Sequence, residues 1–137
     1  MSIKYFPILF IVALTFSTKS QANEVIEECT KDSKSKLDFA LCLEKASQKL
    51  ERELELWNNN HIFRLEEQAK KTGRTSSLKL FKRAKDDFIV YRESNCRWYY
   101  LADTPNPTAG NEYKKCMIKL TKVRINELEE IEHPQEI

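Results

Sequence analysis

Four cysteines, Cys29, Cys42, Cys96 and Cys116, are the residues of this chain whose chemistry is easiest to place. Thiols ligate zinc, act as nucleophiles or pair as disulfides, and spacing separates these uses. Zinc cysteines come as close pairs two to four residues apart, whereas the shortest gap here contains twelve residues. No glycine-rich phosphate cradle and no nucleophile motif accompanies them. Disulfides are the expected use, and four cysteines allow three pairings.

The remaining reactive side chains have structural readings beside the functional ones. His61 and His133 lie far apart, away from any cysteine or carboxylate pattern, and His61 falls on a helical face. Glu51, Glu53, Glu55, Glu66 and Glu67 include carboxylate pairs of the kind acid–base catalysis uses. Without a cleft signature they read as a solvated helix face. Arg92 and Arg124 sit on or beside apolar stripes, where an arginine buries its stem and pairs with a nearby acid. Trp98-Tyr99-Tyr100 reads either as an interaction anchor or as a core tryptophan beside one exposed tyrosine. No catalytic residues, metal ligands or cofactor site follow, so the chain reads as a non-enzyme.

These residues lie downstream of an export signal. Met1 to Lys4 gives a short basic start, Tyr5 to Phe16 an apolar run, and Ser20-Gln21-Ala22 the small residues a signal peptidase needs. Cleavage is expected after Ala22, so residues 1–22 are the signal peptide and residues 23–137 the mature domain. The run is shorter than the roughly 20 apolar residues of a membrane span. No cysteine stands at the cleavage point for lipid attachment. The expectation is a periplasmic or secreted product without a membrane anchor.

Removing Lys4 and Lys19 leaves 21 of the 23 basic side chains, equal to the 21 acidic ones. Zero net charge disfavours nucleic acid and polybasic membrane binding. One domain of this size has a small core, where crosslinks help most.

Three helices are expected to position these groups. The first runs from about Lys36 to Lys71, with Ser35 as N-cap and Asp38 in the capping-box position. Its face is Leu43, Ala46, Leu50, Leu54, Trp57, His61 and Leu65. The second starts near Ser76 or Ser77 and presents Phe81, Ala84, Phe88, Tyr91, Asn95 and Trp98. The third starts near Asn111, presents Tyr113, Met117, Leu120, Arg124, Leu128 and Ile131, and ends at Pro134. The first helix would be roughly 54 Å long and the second about 37 Å. Asn58-Asn59-Asn60 is the expected site of a bend that absorbs the difference.

An antiparallel second helix brings Cys96 beside Cys42, and the third helix begins there with Cys116. All four thiols therefore gather at one end, and distance alone excludes none of the pairings. Sequence proximity favours Cys29 with Cys42 and Cys96 with Cys116, each worth on the order of 3 kcal/mol. The expected architecture is an all-α, compact three-helix antiparallel bundle with two disulfides clustered at one end.

Cys42 with Ala46 and Leu50, then Ala84, Phe88, Tyr91-Arg92-Glu93 and Cys96, then Cys116, Leu120-Thr121, Arg124 and Leu128 form a recognisable constellation. It resembles the LprI-like lysozyme-inhibitor domain family across essentially the whole mature chain, most specifically from Ala84 to Cys96. Phe88 stands where the family usually has tryptophan, and Leu54 where tyrosine is common. The resemblance implies an exported, helical, disulfide-bonded inhibitor whose partner is a protein.

On this reading the chain inhibits or binds a cell-wall hydrolase, lysozyme first, by occluding its active-site groove. Alternatives are an immunity protein against an exported bacterial toxin and a structural or stress-related envelope protein. The expected contact residues are Arg97, Tyr99, Tyr100, Asp103, Thr104, Asn106, Thr108, Lys114 and Lys115, in and around a segment clamped between Cys96 and Cys116. Phe88, Tyr91, Arg92 and Arg124 are expected to be structural.

Overall fold

The computed structural model describes residues 21–132, which form four α-helices and no strand: α1 (Gln21–Asp32), α2 (Lys36–Thr72), α3 (Ser76–Asp103) and α4 (Ala109–Glu132). Apart from Gln21 and Ala22, the expected signal peptide lies outside the described residues, as do His133 and Pro134. The ends of α2 follow from local chemistry. Ser35 is extended, and its hydroxyl accepts from the Asp38 N–H at 3.1 Å, satisfying a donor that the first helical turn leaves free. Gly73 closes the helix at φ 71°, with its N–H on the Ala69 carbonyl at 2.8 Å. Only glycine adopts that conformation without cost.

Pairwise contacts give the topology. Arg92 meets Glu51 and Lys82 meets Glu66, so α3 runs antiparallel to α2. Lys114 meets Glu44 and Lys122 meets Glu53, so α4 runs parallel to α2. Helix α4 packs against all three others, while α1 and α3 do not touch among the described residues. The core is Cys29, Leu43, Leu50, Leu54, Ile118, Ile125 and Leu128, flanked by Val25, Ile26, Phe39, Trp57, Phe81 and Phe88.

The bundle has four helices, where three were expected. Val25, Ile26 and Cys29 lie on one face of α1 and pack on the core. A twelve-residue helix is marginal alone; contacts with α2 and α4 and the Cys29–Cys42 bond hold this one. Helix α2 runs unbroken through Asn58-Asn59-Asn60, with Asn58 buried inside it.

Helix α3 carries two apolar seams rather than one. The core seam is Phe81, Phe88, Arg92, Asn95 and Cys96, buried or half-buried. Ala84, Tyr91 and Trp98 face solvent, with Tyr91 55% and Trp98 53% exposed. The expected core positions for Tyr91 and Trp98 are therefore corrected, because Ala84, Tyr91 and Trp98, spaced by seven, form a row on one flank of the Phe81–Phe88 row, with Tyr91 roughly 60° round the helix from Phe88. Helix α4 begins at Ala109, before Asn111, and buries Ile118, Thr121, Ile125 and Leu128. Met117, Leu120 and Arg124 flank that face, and Ile131 is exposed.

Candidate functional site

The crosslinked end combines the best-defined geometry with the expected contact residues. Cys29 pairs with Cys42 and Cys96 with Cys116, at Cα separations of 5.6 and 5.4 Å, and no free thiol is left among the described residues. The second bond joins the end of α3 to the start of α4 and closes the intervening loop.

That loop is internally bonded. The Asn106 N–H donates to the Asp103 carbonyl at 2.8 Å, and the Asn106 Oδ1 accepts from both the N–H and the hydroxyl of Thr108. Thr104 donates its hydroxyl to the Tyr100 carbonyl at 2.8 Å. Asparagine suits this place because its side chain substitutes for a backbone turn partner. The Thr108 carbonyl accepts from Asn111 and Glu112, which starts α4. Buried Ala109 anchors the turn, while Thr104 and Asn106 stay exposed and Asp103 and Thr108 are half-buried.

The surrounding cations differ in availability. Arg97 is exposed and forms no ion pair among the described residues. Lys114 Nζ lies 2.6 Å from Glu44 Oε2, and this hydrogen bond, with a second from Gln48, holds the Glu44 carboxyl below its usual range. Lys115 pairs with Glu112 at 2.7 Å and lies 5.5 Å over the Phe39 ring. Tyr99 stacks on Trp98 with ring centroids 4.0 Å apart, and Tyr100 is exposed beside them.

Phe88, Arg92 and Arg124 form a separate cluster along the bundle. Arg92 and Arg124 approach the Phe88 ring at 5.6 and 5.8 Å. Arg92 Nη1 also donates to the Thr121 hydroxyl at 2.6 Å, and that hydroxyl donates onward to the Met117 carbonyl. Arg124 holds Glu127 at 2.7 Å. Exposed Tyr91 lies outside this cluster. His61 is buried against Phe81 and bonds the Leu128 carbonyl through Nε2 at 2.8 Å, a packing role.

The glutamates read as a solvated face divide. Glu51 and Glu53 reach Arg92 and Lys122 on other helices, Glu66 reaches Lys82, Glu67 pairs with Lys70 on its own helix, and Glu55 is exposed. Among the described residues no three His, Cys, Asp or Glu side chains gather closely enough to hold a metal ion. None of the described helices is long and apolar enough to cross a membrane.

The family model described as lysozyme inhibitor LprI matches residues 27–128, from the middle of α1 to the last core leucine of α4. The chain belongs to the LprI family. Comparison with curated proteins and with solved structures finds no match. The match places both disulfides, the arginine–phenylalanine cluster and the bonded loop of this LprI family member inside the family domain. Sequence reasoning missed the interhelical pairs of Lys114 and Glu51, whose partners lie 70 and 41 residues away.

Proposed function

We propose that this protein is an exported, periplasmic inhibitor of a cell-wall hydrolase, lysozyme first, and that the loop from Thr104 to Thr108 enters the active-site groove. Lysozyme works with two carboxyl groups in a groove. An inhibitor suited to that groove presents hydrogen-bonding or cationic groups on a backbone that resists rearrangement. The observation that carries this reading is the loop itself, closed by Cys96–Cys116 and braced by the Asn106 side chain. Such bracing lowers the ordering cost of binding. Exposed Arg97 lies about two turns before the loop on α3 as a cation available to a carboxylate.

Lys114 and Lys115, already paired with acids, serve this reading as supports of the loop rather than as primary contacts. Two disulfides suit an oxidising compartment. The test is a pull-down of the purified oxidised protein against a panel of lysozymes and periplasmic extracts, followed by a turbidity assay of cell-wall lysis. Binding with inhibition supports the reading. Absence of binding to every lysozyme in either redox state removes it and favours an immunity or envelope role.

A further inference from the structure

The stacked pair Trp98 and Tyr99 is left over once the loop is assigned. Adjacent residues on a helix point about 100° apart, yet these rings meet at 4.0 Å with an interplanar angle of 27°. They form one slab, 53% and 45% exposed. The Asn95 side chain braces it, accepting from Trp98 Nε1 at 3.4 Å while its amide donates to Cys116 Sγ at 3.8 Å. The slab is thereby tied to the crosslinked start of α4.

A cleft of about 170 Å³ opens along the Tyr99 side of this slab, lined by Asn95, Glu112, Lys115, Lys119 and Leu120. Its size falls below the roughly 300–1,000 Å³ of pockets that enclose a whole small molecule. One ring of a longer ligand fits it better. Its lining mixes apolar and polar groups, the Tyr99 ring and Leu120 beside the amide of Asn95, the Glu112–Lys115 ion pair and exposed Lys119, which forms no ion pair among the described residues. A protein hot spot is typically a well-packed, desolvated pocket. An aromatic surface bordered by donors and acceptors instead matches a ligand apolar on its face and polar around its edge. A pyranose has that form: its C–H faces stack on aromatic rings and its hydroxyls surround the rim.

We infer that this cleft binds one sugar ring of a carboxylate-bearing glycan, with Tyr99, backed by Trp98, as the stacking surface and Lys119 as the carboxylate partner. The inference does not rest on lysozyme inhibition, and its glycan titrations contain no hydrolase. Trp57 and Trp98 are the two tryptophans of the chain, so Trp57→Phe leaves Trp98 as the only indole reporter. This variant is titrated with a neutral N-acetylglucosamine oligomer and with a glycan oligomer containing N-acetylmuramic acid. The unaltered chain is sedimented with insoluble peptidoglycan in parallel, which covers a folding failure of Trp57→Phe.

The expected result is a saturable change in indole emission with both oligomers, at least threefold tighter for the carboxylated one. Tyr99→Ala should weaken both by tenfold or more with unchanged helical circular dichroism, and Trp98→Ala should do the same to sedimentation. Lys119→Ala should erase the preference between the oligomers and leave the neutral one unaffected. Failure of both oligomers to bind together with no sedimentation overturns the inference, as does binding that survives Tyr99→Ala and Trp98→Ala. Loss of hydrolase binding in these variants without any glycan binding would make the slab a protein contact and also overturns it.

Discussion

Arg92 and Glu51 form a two-bond ion pair across α3 and α2, with Nη1 to Oε1 at 2.6 Å and Nη2 to Oε2 at 3.1 Å. Arg92 is 5% exposed, whereas the Glu51 side chain is 41% exposed, so one partner is buried and the other remains hydrated. The Thr121 hydroxyl adds a third attachment from α4. A planar guanidinium serves three acceptor contacts at fixed angles, which an ammonium cannot reproduce. This pair joins the two halves of the bundle at mid-height.

Replacing Arg92 by alanine should cost about 2–3 kcal/mol, below the range for fully buried pairs because Glu51 is solvated. Arg92→Lys should recover less than half of that loss. Urea unfolding of the two variants checks both statements, and equal stability of Arg92→Lys and the unaltered protein would contradict the geometry.

Phe88 lies close to two guanidinium groups, at 5.6 and 5.8 Å from its ring centroid, but is only half-buried. Phe88→Ala should therefore cost about 3 kcal/mol, the lower end for a phenylalanine truncation. Denaturant unfolding measures it, and a loss under about 1 kcal/mol would place the ring on the surface.

Tyr113 donates its hydroxyl to Glu93 Oε2 at 2.6 Å, and burial, with that carboxylate, pushes its pKa up to about 12. Its folded value exceeds its unfolded value near 10. The associated stability is fully present below pH 10 and lost as pH rises towards about 12. Alkaline unfolding should therefore steepen in that window, and Tyr113→Phe should flatten it.

Exchanging Thr104 to Thr108 for a glycine–serine stretch should abolish lysozyme inhibition while leaving helicity and melting nearly unchanged, since both ends of the loop stay crosslinked. Arg97→Glu should weaken binding more at low salt than at high salt. Turbidity and binding assays across a salt series decide. Inhibition that survives the loop exchange would move the contact to the helix faces.

Local signals make α2 legible in the amino-acid sequence: Ser35 and Gly73 mark its ends, and Leu43, Leu50, Leu54 and His61 mark its buried face. Helix α3 is less legible because Phe81 and Phe88 are three or four residues from Ala84 and Tyr91. A stripe read at that spacing merges the two seams. Helix α1 escapes a reading by periodicity because twelve residues give little repeat to follow. At the site, the cysteines and the loop are evident from residue type and punctuation. The engagement of Lys114 by Glu44 is not, because α4 meets α2 only after the chain has folded back twice.

Each disulfide lies within one hairpin, α1 with α2 and α3 with α4, so neither crosses the Gly73 connection. A single proteolytic cut between Thr72 and Ser76 would consequently yield two pieces with no covalent link, even under oxidising conditions. Each piece would retain its own crosslink and half of the Arg92–Glu51 pair. Denaturant alone, without reductant, should separate them, and mixing them again should rebuild the bundle as a two-chain heterodimer.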